Sequence, residues 1–325
     1  MTQDLVTYSL FAVYSAMAVY ALAFIAFTFD LARRAAPAPA AVNGVVVGQA
    51  TARGGRATAL LERLSTDAPV DLDKPGRSTS RPLRVAMALT VIAWVLHVSA
   101  DVTRGVAAGR VPWANMFEFS MTATAIIVGV FLVIQFWQDV RYLGAYITGF
   151  CLILLGLATV NFYVDVVPLA VPLQSAWLVI HVFVASLGTA FFAIGAGLSI
   201  AQLLQSRRET RGAGFRFLET LPTAEKLENL AYRVILIGFV FWTFTLIAGA
   251  IWAERAWGRY WGWDTKEVWT FIIWTIFAGY IHARATRGWR GSRSAILAIV
   301  GFSAVLFNFT IVNLFFKGLH SYSGL

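Results

Sequence analysis

The sequence has little charge. Only 13% of its 325 residues are Asp, Glu, Lys or Arg, about half the share of a soluble domain, whereas 58% are hydrophobic. This composition excludes an ordinary soluble protein and predicts residence in a membrane. The period-2 alternation expected of a transmembrane barrel is also missing, so the membrane spans are predicted to be helices.

Cysteine is almost absent as well. Cys151 is the only one, so the chain can form no internal disulfide and contains no CxxC metal or redox motif. It falls inside an apolar run, where a lone cysteine usually acts as a small buried apolar residue. We interpret Cys151 in that way.

Uncharged segments long enough to cross a membrane recur along the chain. Five exceed about 18 residues, a sixth follows two prolines, and two shorter ones are bounded by residues that can snorkel to the interface. They predict an all-α integral membrane protein with eight transmembrane helices. The predicted spans are Leu5–Phe29, Val85–Ala100, Phe119–Gln138, Tyr142–Val164, Trp177–Gln202, Val234–Ala253, Val268–Ala283 and Ser294–Phe316.

The net charge of +9 does not indicate nucleic-acid binding, because the Lys and Arg residues are concentrated in alternate loops, as in a membrane protein. Of the 26 Lys and Arg residues, 20 fall in segments 30–84, 139–141, 203–233 and 284–293. The positive-inside rule places these segments in the cytoplasm, and both termini then lie outside the plasma membrane.

Composition also divides the chain into parts. Residues 1–30 are predicted to form the first transmembrane helix, residues 31–84 a flexible cytoplasmic linker, and residues 85–325 a seven-helix membrane domain. We therefore expect helix one to be only loosely tied to the other seven. The basic segment 203–233 is expected to form one or two amphipathic surface helices.

Half of the twelve tryptophans lie between Trp252 and Trp274, around the external loop between helices six and seven. A single tryptophan near a membrane boundary usually belongs to the interfacial belt. Six within one short stretch, interleaved with glycines and a few charges, instead favour a surface for a large, flat, apolar ligand with a charged rim.

Topology sorts the four histidines. His181, in the first turns of helix five, and His320, in the C-terminal tail, both belong to the external side and flank the tryptophan-rich loop in sequence. Two neutral imidazoles can ligate an iron porphyrin axially. A histidine in a tail is by itself more often solvated, so the residues alone leave both interpretations open.

Other polar residues have simpler or competing explanations. His282, near the cytoplasmic end of helix seven, and His97, in helix two, are candidates because histidines within a membrane are usually functional. His97 could instead hydrogen-bond Asp101, one turn on. Asn115 is predicted to cap helix three, with Glu118 in its first turn.

The segment 257–269, WGRYWGWDTKEVW, resembles the WWD signature of the heme-handling protein superfamily. Within that superfamily it resembles the CcsA (ResC) branch of the System II cytochrome c biogenesis machinery, called CcsB in some bacteria. The GRVPWANMFE stretch at 109–118 and the order of the flanking histidines are similar too. The resemblance covers the chain from about residue 85 onward and leaves the linker unexplained.

The resemblance implies a subunit of a holocytochrome c synthase that works with a ResB/CcsB-type membrane partner. His181 and His320 would be axial ligands of heme b at the outer face, and His282 would help bind heme in transit, with a second ligand from the partner. His97 matches a family position of less certain role and is a second-tier ligand. The loop residues expected to hold the porphyrin are Trp257, Tyr260, Trp261, Trp263, Asp264 and Trp269.

In that mechanism an apocytochrome c CxxCH motif displaces one histidine, and its two thiols add to the heme vinyls. Thiol-reducing proteins are possible further partners. The chain shows no nucleophile and no matched acid–base pair, so catalysis would act by positioning. The cations Arg255, Arg259 and Lys266 are available for the heme propionates. We interpret Asp264, Lys266 and Glu267 as an ion-paired helix start rather than a proton relay.

Two alternatives stay open at this point. One is a heme transporter or chaperone without attachment activity, similar to CcmC-type proteins, which also carry a WWD loop. The other is a cytochrome b-like electron carrier with permanently bound heme. A channel or solute carrier would need polar residues along several helices, and these helices are almost purely apolar.

Overall fold

The computed structural model describes residues 2–35, 80–167, 173–212, 214–286, 288–316 and 318–320. The regular structure in these ranges is helical, without a strand. The helices are α1 (Thr2–Ala35), α2 (Arg81–Ala108), α3 (Met116–Ile134), α4 (Gly144–Asn161), α5 (Ala176–Arg211), α6 (Ala224–Trp257), α7 (Thr265–Thr286), α8 (Ser292–Phe309) and the short α9 (Ile311–Phe315). Residues 36–79 of the predicted linker lie outside the described residues, and its ends, 31–35 and 81–84, belong to α1 and α2.

Each of the eight predicted helices is present, and within the described ranges seven stretches are long and apolar enough to cross a membrane. These seven are α1, α2, α3, α4 with the turn before it, α5, α6, and α8 together with α9. The helix α7 is the exception among the long helices of the described ranges, because charged residues at both ends and several Trp, Thr and Tyr residues dilute its apolar content. The chain is thus an all-α, multi-pass membrane protein.

Polar caps start several of these helices. Asn115 caps α3 as predicted: its Oδ1 accepts a hydrogen bond of 2.9 Å from the Glu118 N–H. Ser175 and Thr223 cap α5 and α6 in the same way. Gly258, in the left-handed conformation at φ 69°, ends α6 and starts the tryptophan-rich loop.

The prediction of separate surface helices in 203–233 is wrong. Its first residues continue α5 to Arg211, a short 3₁₀ turn spans Arg216–Thr220, and α6 begins at Ala224. Gln, Arg and Glu are good helix formers and extend α5 beyond its apolar part, until Gly212 ends it in a left-handed conformation.

The expectation that helix one is loosely tied is also wrong. The helix α1 packs along α2 and against α4, and it completely buries Val13, Ala16 and Tyr20. The Ser9 hydroxyl donates to the Ala100 carbonyl at 2.9 Å, which adds a polar link between α1 and α2. The small side chains of α1 allow this close approach, which a composition-based argument about the linker does not address.

A buried ion cluster joins the end of α2 to the start of α3. The Glu118 carboxylate accepts hydrogen bonds from Arg104 Nε at 3.0 Å and from Arg110 Nη1 at 2.7 Å. The side chains of Arg104 and Glu118 are both 0% exposed. The same carboxylate accepts the Ala114 N–H at 3.0 Å. The cluster therefore fixes the loop before α3, which forms one wall of the cavity described below.

Replacing Asn115 by alanine is expected to lower the free energy of unfolding by about 1 kcal/mol, because the first turn of α3 loses its cap. Thermal unfolding of the detergent-solubilised protein measures the change. Asn115→Asp keeps the capping oxygen and should be close to wild type. Asn161→Ala removes an exposed asparagine at the end of α4 and should change stability by less than about 0.5 kcal/mol. Equal losses at both asparagines would contradict the capping role.

Candidate ligand cavity

A cavity of about 230 Å³ lies between α3, α4, α5, α6, α7, α8 and α9, beside the tryptophan-rich loop. The loop and tail residues that line it include Tyr260, Trp261 and His320. Its other residues are mostly apolar side chains of the helices, such as Ile127, Phe150 and Leu154. Two of the four histidines line this cavity, His181 and His320.

His181 is oriented by α6. Its Nδ1 lies 3.0 Å from the Thr245 carbonyl oxygen, and because a carbonyl can only accept, Nδ1 carries the proton and donates. The other ring nitrogen, Nε2, then keeps a free lone pair. Gly249, one turn along α6, makes room for the ring: a Cβ there would lie 2.8 Å from His181 Cε1 and 2.9 Å from Nδ1.

His320 is oriented by the loop. Its Nδ1 lies 2.7 Å from Asp264 Oδ2, and the Leu319 N–H lies 3.3 Å from Asp264 Oδ1, so one carboxylate holds both tail residues. The hydrogen bond from His320 lowers the pKa of Asp264 below its usual value, so this carboxylate stays ionised at neutral pH. Gly318 approaches the same carboxylate so closely that a Cβ would collide with Oδ1.

An aromatic cluster connects the two histidines. The Trp252 ring stacks on His181 with centroids 5.9 Å apart and meets His320 edge-on at 5.5 Å. Trp257 also meets His320 edge-on, at 4.8 Å. The cavity therefore offers two imidazoles that share a tryptophan neighbour, each with its Nδ1 already hydrogen-bonded.

Glu267 shapes the loop from the first turn of α7. Its Oε2 accepts the N–H groups of Gly262 at 2.8 Å and Asp264 at 3.0 Å. The residue between them, Trp263, has a left-handed φ of 58°. The charges at the start of α7 thus have structural partners, but the expected ion pairs with one another are not seen within the described residues: Asp264 binds His320 and Lys266 binds asparagines.

The other predicted aromatic residues occupy different positions. Tyr260 and Trp261 line the cavity, and Trp257 contacts His320. Trp263 is 76% exposed, and Trp269 packs against Phe307 with ring centroids 4.4 Å apart.

Of the three cations suggested for the propionates, one lines the cavity. Lys266 does so, whereas the Arg255 guanidinium lies 5.9 Å from the Trp177 ring centroid and the exposed Arg259 side chain lies against Gly262.

The remaining two histidines do not line this cavity. His97 is fully buried and lies 3.4 Å from the Tyr20 hydroxyl rather than bonding to Asp101. His282 is exposed on α7. Their roles as heme ligands remain predictions.

Sequence reasoning missed the residues that orient His181, and it singled out Asp264, which orients His320, for a different role. Thr245 and Gly249 lie in an apolar span, where only the glycine is a weak signal of close packing. Trp252 lay in the tryptophan-rich stretch but was not singled out. Asn308, a polar residue near the end of α8, lines the cavity and was also missed.

The fold and the cavity define a class: a multi-pass helical membrane protein with two histidines and an aromatic cluster around one internal site. The family described as "Cytochrome C assembly protein" matches residues 113–320, a range that contains every residue lining the cavity. The chain belongs to this family of cytochrome c assembly proteins, and within it to the CcsA type, as the following relatives show.

The "Cytochrome c biogenesis protein CcsA" of Guillardia theta is 35% identical over 254 residues, covering 73% of this chain and 84% of that protein. The protein of the same name from Synechococcus sp. (strain CC9902) is 35% identical over 269 residues, covering 75% and 88%. Both confirm the resemblance inferred from the WWD segment.

The solved structure of "Cytochrome c Heme Lyase CcmF" has a similar fold, with a TM-score of 0.61 at 17% identity. The alignment covers 94% of this chain and 46% of that one, so the chain spans less than half of the length of that protein.

Proposed function

We propose that this protein is the membrane subunit of a holocytochrome c synthase, and that it holds heme b as a substrate between His181 and His320. The observation that carries the proposal is that both histidines line one cavity with Nδ1 engaged, and that Nε2 has no hydrogen-bond partner among the described residues. The names of its relatives, which refer to cytochrome c biogenesis and heme lyase, support it.

The donor set suits a heme iron. A histidine that ligates a metal usually donates its other ring N–H to a carbonyl or carboxylate, which fixes the tautomer and the ring orientation. Thr245 provides the carbonyl for His181, and Asp264 provides the carboxylate for His320. The tryptophans and Tyr260 supply flat apolar walls. The cavity is smaller than the roughly 300–1,000 Å³ of small-molecule pockets, so a whole macrocycle requires the loop and tail to move apart.

The attachment chemistry requires the protein mainly to position the heme and the thiols. Each CxxCH thiol adds across one vinyl group: sulfur bonds to the vinyl carbon next to the ring, the thiol proton goes to the terminal carbon, and nothing is oxidised or reduced. The histidine of CxxCH replaces one of the two protein ligands. His181, His320 and the aromatic walls hold the reacting edge of the heme in place.

The remaining predictions complete the proposal. The tryptophan-rich loop and both termini lie on the outer side of the plasma membrane, with eight spans and a cytoplasmic linker at 31–84. His282, exposed near the cytoplasmic end of α7, is available to heme in transit together with a ResB/CcsB-type partner.

The test is covalent attachment in a bacterial strain without its own cytochrome c maturation genes. The chain is expressed with its ResB-type partner and an apocytochrome c, and heme staining after denaturing electrophoresis measures the product. We expect stained cytochrome with wild type, none with His181→Gly or His320→Gly, and none with an apocytochrome whose CxxCH cysteines are serines. A protein that binds heme but leaves every apocytochrome unstained would instead support the transporter or the electron carrier.

Asp264→Ala is expected to weaken heme binding by about 10- to 100-fold, because His320 loses the carboxylate that orients it. Heme titration followed by visible absorption measures the dissociation constant. Asp165→Ala, which removes a carboxylate that bonds Tyr163 away from the cavity, is the matched control and should leave the constant unchanged. Unchanged affinity in Asp264→Ala would show that Asp264 does not orient a ligand.

A further inference from the structure

We propose that Lys266, Asn308 and Asn313 form a carboxylate-binding subsite inside the cavity, and that this subsite holds a propionate of the heme. The inference rests on the proposed function and adds to it the orientation of the substrate. All three residues line the cavity, at the junction of α7, α8 and α9.

Lys266 is the one Lys or Arg among the residues that line the cavity in the described part of the chain. Its Nζ contacts two neutral oxygens, the Asn313 Oδ1 and, at 3.4 Å, the Asn308 carbonyl. Within the described ranges no carboxylate lies within 4 Å of Nζ. Burial without an adjacent anion is costly for an ammonium group and lowers the pKa of Lys266 to about 7, so this arrangement favours an anionic ligand that restores the charged form.

Asn308 supplies an independent observation. Its side chain is almost fully buried, and its Oδ1 has no hydrogen-bond partner within the described residues. Its Nδ2 makes only a long contact of 3.4 Å with Thr270 Oγ1. The amide can therefore turn and present either its oxygen or its NH₂ group to a ligand at little cost. Buried polar groups without partners are rare, and here the group lines a ligand cavity.

The two carboxylates nearest to Lys266 in sequence, Asp264 just before α7 and Glu267 in its first turn, are already engaged. Glu267 Oε2 accepts two backbone N–H groups of the loop, and Asp264 is bound to His320. Neither has its carboxylate within salt-bridge distance of the Lys266 ammonium. The charge of Lys266 is left for the ligand.

This subsite determines how the heme lies. The two propionates occupy one edge of the macrocycle and the vinyl groups lie toward the other, so a propionate held between α7 and α8 directs the vinyl edge away from these helices. The CxxCH thiols must then approach from the side of the cavity away from α7 and α8. Arg255 and Arg259, which do not line the cavity, have no part in this anchoring.

The test compares two ligands, heme and its iron protoporphyrin dimethyl ester, in which both propionates are esterified. Each is titrated into the detergent-solubilised protein with its partner, without apocytochrome, for wild type and Lys266→Met. Wild type should bind heme about 10- to 100-fold more tightly than the ester, as expected for a charge-assisted hydrogen bond to a carboxylate. Lys266→Met should bind the two ligands with equal affinity.

Two further variants make the result specific. Lys226→Met, the same substitution at an exposed lysine of α6, should keep the wild-type preference. If Lys266→Met does not fold, Asn308→Ala, which removes only the amide, takes its place and should reduce the preference.

The alternative outcomes are distinct. A preference for heme that persists in Lys266→Met, or equal binding of both ligands by wild type, overturns the subsite while His181 and His320 still bind iron. If the preference for heme is lost in Arg259→Met and kept in Lys266→Met, the propionates bind beside Arg259 at the rim of the cavity, and the proposed subsite is wrong. Absence of heme binding in wild type refutes the proposed function itself, and the subsite with it.

Discussion

Replacing Gly249 by alanine is expected to weaken heme binding by about 100-fold, although Gly249 makes no bond to the ligand. The new Cβ would lie 2.8–2.9 Å from two atoms of the His181 ring, so the imidazole must move away from α6 and lose its hydrogen bond to Thr245. Loss of the hydrogen bond that orients a metal-ligating histidine costs about 10- to 100-fold in affinity, and the added displacement of the ring places this variant at the upper end. Visible-absorption titration with heme measures the affinity, and heme staining of the cytochrome measures the consequence.

The matched control is Gly156→Ala in α4. A Cβ there would contact only the Met17 methyl at 3.9 Å, which is ordinary van der Waals distance. Both variants replace a glycine by an alanine inside a membrane helix, so shared effects on helix propensity cancel. Wild-type affinity in Gly249→Ala would contradict the placement of His181 against α6.

Replacing Glu118 by alanine is expected to reduce the free energy of unfolding by about 3–5 kcal/mol. The fully buried Arg104 would lose the carboxylate that pairs with it, and an uncompensated buried charge is strongly destabilising. Because the same carboxylate holds Arg110 and the Ala114 N–H, the loop that forms one cavity wall should loosen as well. Thermal unfolding in detergent, with and without heme, measures both effects.

Two variants separate the buried charge from a general effect of removing a glutamate. Glu225→Ala, at an exposed position in the first turn of α6, should change stability by less than about 1 kcal/mol. Combining Glu118→Ala with Arg104→Met removes both charges and should recover part of the loss. If the double variant is no more stable than Glu118→Ala, the ion pair is not the reason.

The parts of the fold that depend on local composition could be predicted from the sequence. Apolar runs predicted eight helices, and Asn115 was correctly predicted to cap α3, since a cap depends on residues three positions apart. The errors concern packing and continuity. Segment 203–233 extends two long helices instead of forming its own, and α1 docks on α2 through contacts between residues as far as 91 positions apart.

The candidate site shows the same division. Topology and the WWD resemblance predicted that His181 and His320 act at one site, and both line one cavity. The residues that orient His181 could not be found, because the rotation of α6 against α5 decides which residue contacts His181. An almost uniformly apolar helix does not reveal its inner face. For the same reason the sequence could not select Lys266 over Arg255 and Arg259.

The most direct test of the central claim is the visible spectrum of the protein purified with its ResB-type partner and loaded with heme. It is recorded for wild type, His181→Gly and His320→Gly, each with and without imidazole. We predict a low-spin, six-coordinate spectrum for wild type, its loss in each variant, and its return when imidazole fills the vacated position. If both variants keep the wild-type spectrum without imidazole, His181 and His320 are not the axial ligands and the proposed site is wrong.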